Sequence, residues 1–392
     1  MLLNHLHSCR QRLLMLSAVL LIFLSQALTA ESEERPQSVN LEDLRAFTEV
    51  YTRLRDQYYG SVDQQLIFQH AITGMLAEVD PYSSYLTSAE YARLNETSSG
   101  VYAGIGVEIS SADFRLKITG VIADSPAEEA GIKAGDIITA VNNQAVKGRL
   151  INASLEDLRG ESDSRVSIET LRQASASDKA LSQRYELVRR VVHYNEISSR
   201  RLVEDFLYLQ IKSFQHNTAR ELQTEISAQL KRSAIPGLIL DLRDNPGGVL
   251  NSGVAVADHF MQKGLIVTTK TRGETEDLRF SANREQLLTG IPIVVLVNSS
   301  TASAAEILAG ALKDNHRATI VGEKTFGKGS VQTIFPLANG AALKLTTAHY
   351  YTPSGQVIHK HGIEPDVVVA DEFEGADNDP VLAAGVEVLW GL

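Results

Sequence analysis

Residues 293–298 read Ile-Val-Val-Leu-Val-Asn, five apolar side chains in succession without a polar break. A strand with one wet face alternates apolar and polar residues, so an unbroken run suits a strand buried on both faces. A helix follows at once, because Ala304, Ile307, Leu308 and Ala311 recur at helical spacing. Upstream, Phe206–Ile211 and Leu238–Leu242 read as strands with a helix, Ala219–Leu230, between them. Downstream come strand patterns at Ala318–Val321, Val331–Pro336 and Leu343–Tyr351, then a weakly helical Pro380–Leu389. From Arg201 onward the chain is therefore mixed α/β.

The preceding stretch has another character. Over residues 100–190, short β-type runs (Gly106–Ile109, Leu116–Val121, Ile137–Val141, Val166–Leu171 and Tyr185–Val188) alternate with glycine-containing turns. Ser125 to Gly131 spells a helix of one or two turns, with Pro126 at its first position and Gly131 past its end. Residues 173–179 form a polar tip or loop. Further upstream, Leu41, Leu44, Phe47, Val50, Tyr51 and Leu54 share a helical spacing with Asn40 and Asp43 placed to cap it. A second apolar pattern covers Leu66–Leu76, and residues 80–85 (Asp-Pro-Tyr-Ser-Ser-Tyr) read as a turn. The two helical patterns form a small subdomain or a dimerisation arm.

Residues 1–30 are read as a targeting signal rather than as fold. Arg10 and Arg12 precede the apolar run Leu13–Leu24, and small residues at Ala27 and Ala30 precede an acidic stretch. A run of 12 is short against the ~20 residues of a membrane helix, so cleavage after Ala27 or Ala30 is expected, with an uncleaved inner-membrane anchor as the alternative. Loss of this segment removes two arginines and no acid, taking the formal charge from −11 to −13. A chain this acidic, without a basic block, is a poor nucleic-acid binder. Cys9 is its only cysteine, which excludes an internal disulfide and a thiolate metal cluster.

Four segments carry candidate chemistry. In Gly104-Ile105-Gly106-Val107 a glycine loop runs into a strand and can aim several N–H groups at one anion, such as a peptide carboxylate. Ser303 stands where a buried strand gives way to a helix, whose N-terminal N–H groups favour a developing alkoxide or oxyanion; a capping serine fits the same place. Lys328, flanked by Gly327 and Gly329, acts as a general base only if burial lowers its pKa. Gln332 can hydrogen-bond that amine without adding charge, and the lone-lysine alternative is an exposed basic loop. Finally, Leu238–Leu242 runs into Asn245-Pro246-Gly247-Gly248, where glycine N–H groups can serve as oxyanion donors or simply make a turn.

In order along the chain, these segments resemble those of the carboxyl-terminal processing peptidases, serine peptidase family S41. The resemblance covers nearly the whole mature chain: residues 80–86, the Gly104–Val107 and Ser125–Ile138 segments of a PDZ domain, Leu240–Gly248, Ser303–Ile307, Gly322–Gly329 and Tyr351–Gly355. It implies a Ser303/Lys328 catalytic pair with Gln332 as its third member. It also implies oxyanion donors at the N–H groups of Gly247 or Gly248 and of Ala304, and a PDZ site at Gly104, Ile105, Gly106 and Val107 for a substrate C-terminus. Where the family often has a further serine, Ala305 stands here. The implied fold is multidomain α+β, with a signal at 1–30, a helical region at 31–98, a PDZ domain at 99–183, a crotonase/ClpP-like core at 184–372 and a helical tail at 373–392. The same resemblance implies protein substrates with extended or unfolded C-terminal tails, an adaptor or activator protein, gating by the PDZ domain, self-association, and a periplasmic or otherwise exported setting with peripheral membrane contact at most. It calls for no metal and no other cofactor. Two other readings stand beside it: a Ser/His hydrolase drawing on His193, His216, His259, His316, His349, His359 or His361, with His359-Lys360-His361 taken as a surface turn, and a non-catalytic PDZ scaffold or chaperone.

Overall fold

The computed structural model describes residues 40–112, 115–147, 151–172, 181–193, 196–203, 205–273, 277–283, 286–370 and 379–392. The expected targeting signal with Cys9 and the expected polar tip at 173–179 lie outside the described residues. No helix among the described residues is long and apolar enough to cross a membrane. The chain divides into two units, up to Ala71 and from Ile72 onward. In the first, the helix Leu41–Gln57 is capped as its sequence predicts, with Asn40 Oδ1 accepting the Glu42 N–H at 3.1 Å. Tyr51 stacks on Phe68 at 4.7 Å and donates its hydroxyl to Gln64 at 3.0 Å. The second apolar pattern forms the helix Gln64–Ala77.

The larger unit is organised by a six-stranded sheet in the order Ile197–Arg201, Leu207–Ile211, Leu238–Asp241, Ile293–Val297, Thr319–Gly322, Val367–Val368. All pairings after the first are parallel. Leu238, Leu240, Ile293, Val295 and Val297 pack with the helices Thr218–Arg232, Leu250–Phe260 and Ala304–Asp314. The intervening Ile239, Val294 and Leu296 pack with Val381 and Leu389 of the final helix, Pro380–Gly391. Cover on both faces is why the 293–297 run has no polar break. A second, antiparallel sheet joins Ser84–Leu86, Ala342–Tyr351, Leu265–Thr271 and Leu278–Ser281, with Ser330–Pro336 along the other side of Ala342–Tyr351.

The inserted β module is a separate sheet, Val107–Ala112, Arg115–Val121, Ile137–Val141, Arg165–Arg172 and Leu181–Val188, around its own core of Ile105, Leu116, Ile118, Ile138, Val166 and Ile168. Three domain boundaries move. The strand Leu181–Val188 pairs along its whole length with Arg165–Arg172, and Arg190–His193 then pairs with Val101–Gly104, so the module continues past 183. Residues 84–86 belong to the core through pairing with Ala342–Lys344. The final helix is a layer of the core rather than a tail.

One ion network ties that last layer to the centre of the sheet. Arg243, at the end of a parallel strand, bonds Asp241 and reaches Asp379 with Nη1 and Nη2 at 2.9 and 2.8 Å, while Asp379 caps the final helix through the Leu382 N–H. Burial opposes charge on Asp379, but the Arg243 guanidinium and the cap outweigh it and hold the carboxyl below its ordinary value. Stability from this pair is therefore complete above the unfolded carboxyl's pKa of about 4 and fades as pH falls further. Arg243→Ala leaves the buried Asp241 carboxylate the Tyr208 hydroxyl and the residue-243 N–H but no cation, and is expected to cost about 3–5 kcal/mol in urea unfolding at pH 7, with a smaller loss near pH 3.

Candidate active site

Parallel strands all end at one edge of their sheet, and three loops meet there: 242–249, 298–303 and 323–329. Hydrogen bonds between the loops fix them to one another. Thr301 Oγ1 donates to the Leu242 carbonyl at 2.8 Å, and Ala302 N–H to that of Asn245 at 2.9 Å. Asn298 accepts the Asp244 N–H at 3.0 Å and donates back to the Asp244 carboxylate, also at 3.0 Å. The Phe326 N–H closes the set on the Thr301 carbonyl at 3.0 Å.

Ser303 caps the helix Ala304–Asp314 with φ 56° and ψ −116°. A positive φ in a residue with a Cβ costs about 1–3 kcal/mol and persists only where its surroundings over-determine it. The main constraint is Glu306, which has no solvent exposure. Its Oε2 accepts the N–H groups of Ser303 at 2.8 Å and Lys328 at 2.9 Å; its Oε1 accepts the Gly327 N–H at 2.7 Å and the Thr325 hydroxyl at 2.5 Å. Burial pushes this carboxyl above its ordinary value, and the four donated bonds pull the other way. Sequence reading had passed over Glu306, although Ser-x-x-Glu at a helix start is capping-box spacing. Ser303 and Lys328, 25 residues apart in the chain, thus hang by their backbones on one carboxylate oxygen.

Lys328 is half-buried, and its Nζ has no hydrogen bond or ion pair with a described residue. Nζ lies 5.4 Å from the centroid of the Tyr82 ring. Burial pushes the amine's pKa down, the Lys344 charge adds to this, and Glu306 acts against both. Gln332 is not joined to Lys328: its Nε2 donates to Ser330 at 2.8 Å and Thr346 at 3.3 Å. Of the two glycine donors, Gly247 has its N–H on Asn245 Oδ1 at 2.8 Å, whereas Gly248 has no acceptor among the described residues. The Ala304 N–H is likewise without an acceptor among them. Gly247 is required here, because at φ 97° a Cβ would stand 2.7 Å from Ser303 Cβ and 2.9 Å from Ala304 N. The expected His359–His361 surface turn holds only in part. Lys360 and His361 are exposed, but His359 turns in against His349 at 4.9 Å and Tyr82 at 6.3 Å.

In the β module, Ile105 and Val107 of the Gly104–Val107 loop line a cavity of about 600 Å³. Ile105, Val107 and Ile109 line one side and Leu155 and Leu158 of the helix Ile151–Leu158 another. Val107–Ala112 is an edge strand, paired only with Arg115–Val121, and the N–H groups of Ile105 and Gly106 have no acceptor among the described residues. An extended peptide can add to such an edge with its carboxylate at the loop. The wall opposite is the helix Ser88–Ser99, linked to the module by the ion pairs Arg93–Glu156 and Glu96–Arg159.

The chain matches three known families over successive segments. Residues 205–369 match the model of peptidase family S41, residues 117–172 that of the PDZ domain, and residues 22–89 that of the activating protease CtpB N-terminal domain. The carboxy-terminal-processing protease of Bartonella bacilliformis is 36% identical over 91% of this chain and 82% of its own. A CtpA-like serine protease of Staphylococcus epidermidis is 36% identical over 84% of this chain and 66% of its own. The solved photosystem II D1 C-terminal processing protease is similar at 32% identity and a TM-score of 0.50, covering 87% of this chain and 89% of that one.

Replacing the shared carboxylate tests the geometry directly. In Glu306→Gln an amide NH₂ faces donors that need an acceptor. The expected result is a loss of about 1–3 kcal/mol in denaturant unfolding and a fall of about a hundredfold in peptidase turnover from misplaced reacting groups, read on the same folded preparation.

Proposed function

The chain belongs to serine peptidase family S41, among the carboxy-terminal-processing proteases with a PDZ domain, and on that premise we propose that it cleaves proteins with extended or unfolded C-terminal tails by a Ser303/Lys328 mechanism. The observation that carries this reading is the Glu306 carboxylate, which accepts a hydrogen bond from the backbone of each partner. Neutral Lys328 takes the proton from Ser303 Oγ as that oxygen attacks the peptide carbonyl. The N–H groups of Gly248 and Ala304, free of intramolecular acceptors among the described residues, meet the oxyanion, while the N–H of Gly247 is already committed to Asn245. Lys328 then hands its proton to the leaving amine and serves again as base for the water that opens the acyl-enzyme. Gln332 is held by Ser330 and Thr346 and in this reading serves as the third member of the set.

In this proposal the PDZ groove at Gly104–Val107 takes the substrate's C-terminal residue. The ion pairs from Arg93 and Glu96 to the module's helix are the contacts through which an occupied groove, or an adaptor protein, gates the cleft. The order of arginines, apolar run and small residues in 1–30 supports an exported, periplasmic enzyme. N-terminal mass spectrometry of protein purified from its native host is expected to find a chain beginning at residue 28 or 31.

The catalytic pair has its own test, on a denatured protein substrate. Ser303→Ala and Lys328→Ala are each expected to abolish turnover, while His359→Ala and His349→Ala retain it. The kcat/KM of the wild type is expected to rise with pH through a single ionisation below the ordinary lysine value of about 10.4, since burial depresses Lys328 and only its neutral form accepts a proton. Turnover by Lys328→Ala at the wild-type rate, or a wild type that binds C-terminal peptides and never cleaves even with partners added, counts against the mechanism.

A further inference from the structure

The Tyr82 side chain stands beside the proposed base without belonging to the catalytic set. The turn that carries it is built tightly. Asp80 accepts the N–H groups of Tyr82 at 2.7 Å and Ser83 at 2.8 Å and the Ser83 hydroxyl at 2.6 Å. Ser83 Oγ in turn accepts the Thr346 N–H at 3.1 Å, on the strand whose Thr346 hydroxyl receives Gln332. Ser84–Leu86 then pairs with Ala342–Lys344. The turn is therefore fastened to the strand beside the lysine loop through Ser83 and through the pairing of Ser84–Leu86. His359 meets the Tyr82 ring nearly edge-on at 74°, and His349 lies against His359. The Lys328 amine lies over the Tyr82 ring.

We propose that Tyr82 is a positioning residue for Lys328: its ring is the wall against which the amine is held, sheltered from water, with no donor to occupy its lone pair and no acceptor to hold its proton among the described residues. The proposal rests on the Ser303/Lys328 reading. A ring face also attracts an ammonium, which on its own would favour the protonated amine. At 5.4 Å, near the ~6 Å limit of that interaction, the attraction is weak and the exclusion of water is the larger effect. The other groups that act on the amine's charge are Lys344 from the neighbouring strand and Glu306 from the nucleophile helix. Near the ring, His359 has its pKa lowered by burial and by the charges of His349, Lys360 and His361, with Asp80 acting against them.

The measurement is a pH profile of kcat and KM on one protein substrate for Tyr82→Phe, Tyr82→Leu and Tyr82→Ala in the full chain. Tyr82→Phe keeps the ring and is expected to stay within about twofold of wild type with an unmoved profile. Tyr82→Ala admits water, so the acid limb of kcat/KM moves to higher pH. At neutral pH kcat falls by about ten- to a hundredfold with little change in KM, and activity recovers as pH is raised. Tyr82→Leu, which fills most of the space and guards against a folding defect, moves the limb in the same direction by less. An acid limb that stays in place in both Tyr82→Ala and Tyr82→Leu overturns the proposal, as does a Tyr82→Phe enzyme as impaired as Tyr82→Ala. Lys328→Ala is assayed alongside; activity in that variant defeats the dyad itself, separately from any effect at Tyr82.

Discussion

The geometry of the site depends on a carboxylate that never touches solvent. Burying Glu306 is unfavourable on its own, and the molecule offsets that cost with four donors, three of them backbone N–H groups. Those donors come from two loops on adjacent parallel strands, so the carboxylate fixes their relative position to within hydrogen-bond tolerance. This is also what lets Ser303 keep an unfavourable backbone conformation. A serine fixed only by its own helix would relax toward ordinary φ, ψ values. Here relaxation would pull the Ser303 N–H off Glu306 and disturb the bond to Lys328 on the same oxygen.

A second constraint is topological. In a parallel sheet every strand delivers its chain to the same edge, and the crossovers return it on the far side. The loop with Gly247 and Gly248, the loop with Ser303 and the loop with Lys328 follow three neighbouring strands in that sheet. No long excursion is needed to bring nucleophile, base and oxyanion donors together. Short hydrogen bonds from Thr301, Asn298 and Asn245 then hold the three loops in register.

Much of this was legible in the residues. The unbroken 293–297 run announced a strand covered on both faces, and the helical spacing after it put Ser303 at a helix start. The strand patterns around 206–211, 238–242 and 343–351 formed close to where they were expected. What stayed hidden depends on contacts between residues far apart in sequence. Asp80–Tyr85 read correctly as a turn, yet nothing local placed Tyr82 against Lys328, because that contact arises from the pairing of Ser84–Leu86 with Ala342–Lys344. The inward face of His359 was lost for the same reason. The strand Leu181–Val188 largely alternates exposed and less exposed residues, and its apolar pattern shows only from Tyr185, so its full length is fixed by pairing with Arg165–Arg172. The use of the Gly247 N–H by Asn245 follows from a two-residue hydrogen bond that composition does not reveal.

The Arg243–Asp379 link has a consequence for how the core and the site share their order. The helix Pro380–Gly391 is laid on the sheet through Val381 and Leu389 and tethered at its start to the strand end that leads into the Gly247–Gly248 turn. One guanidinium serves both ends of that tether, since it also bonds Asp241 in the strand itself. Loosening the helix therefore releases a restraint on the strand end that presents the glycine turn, and disorder at the turn is passed back to the layer behind the sheet.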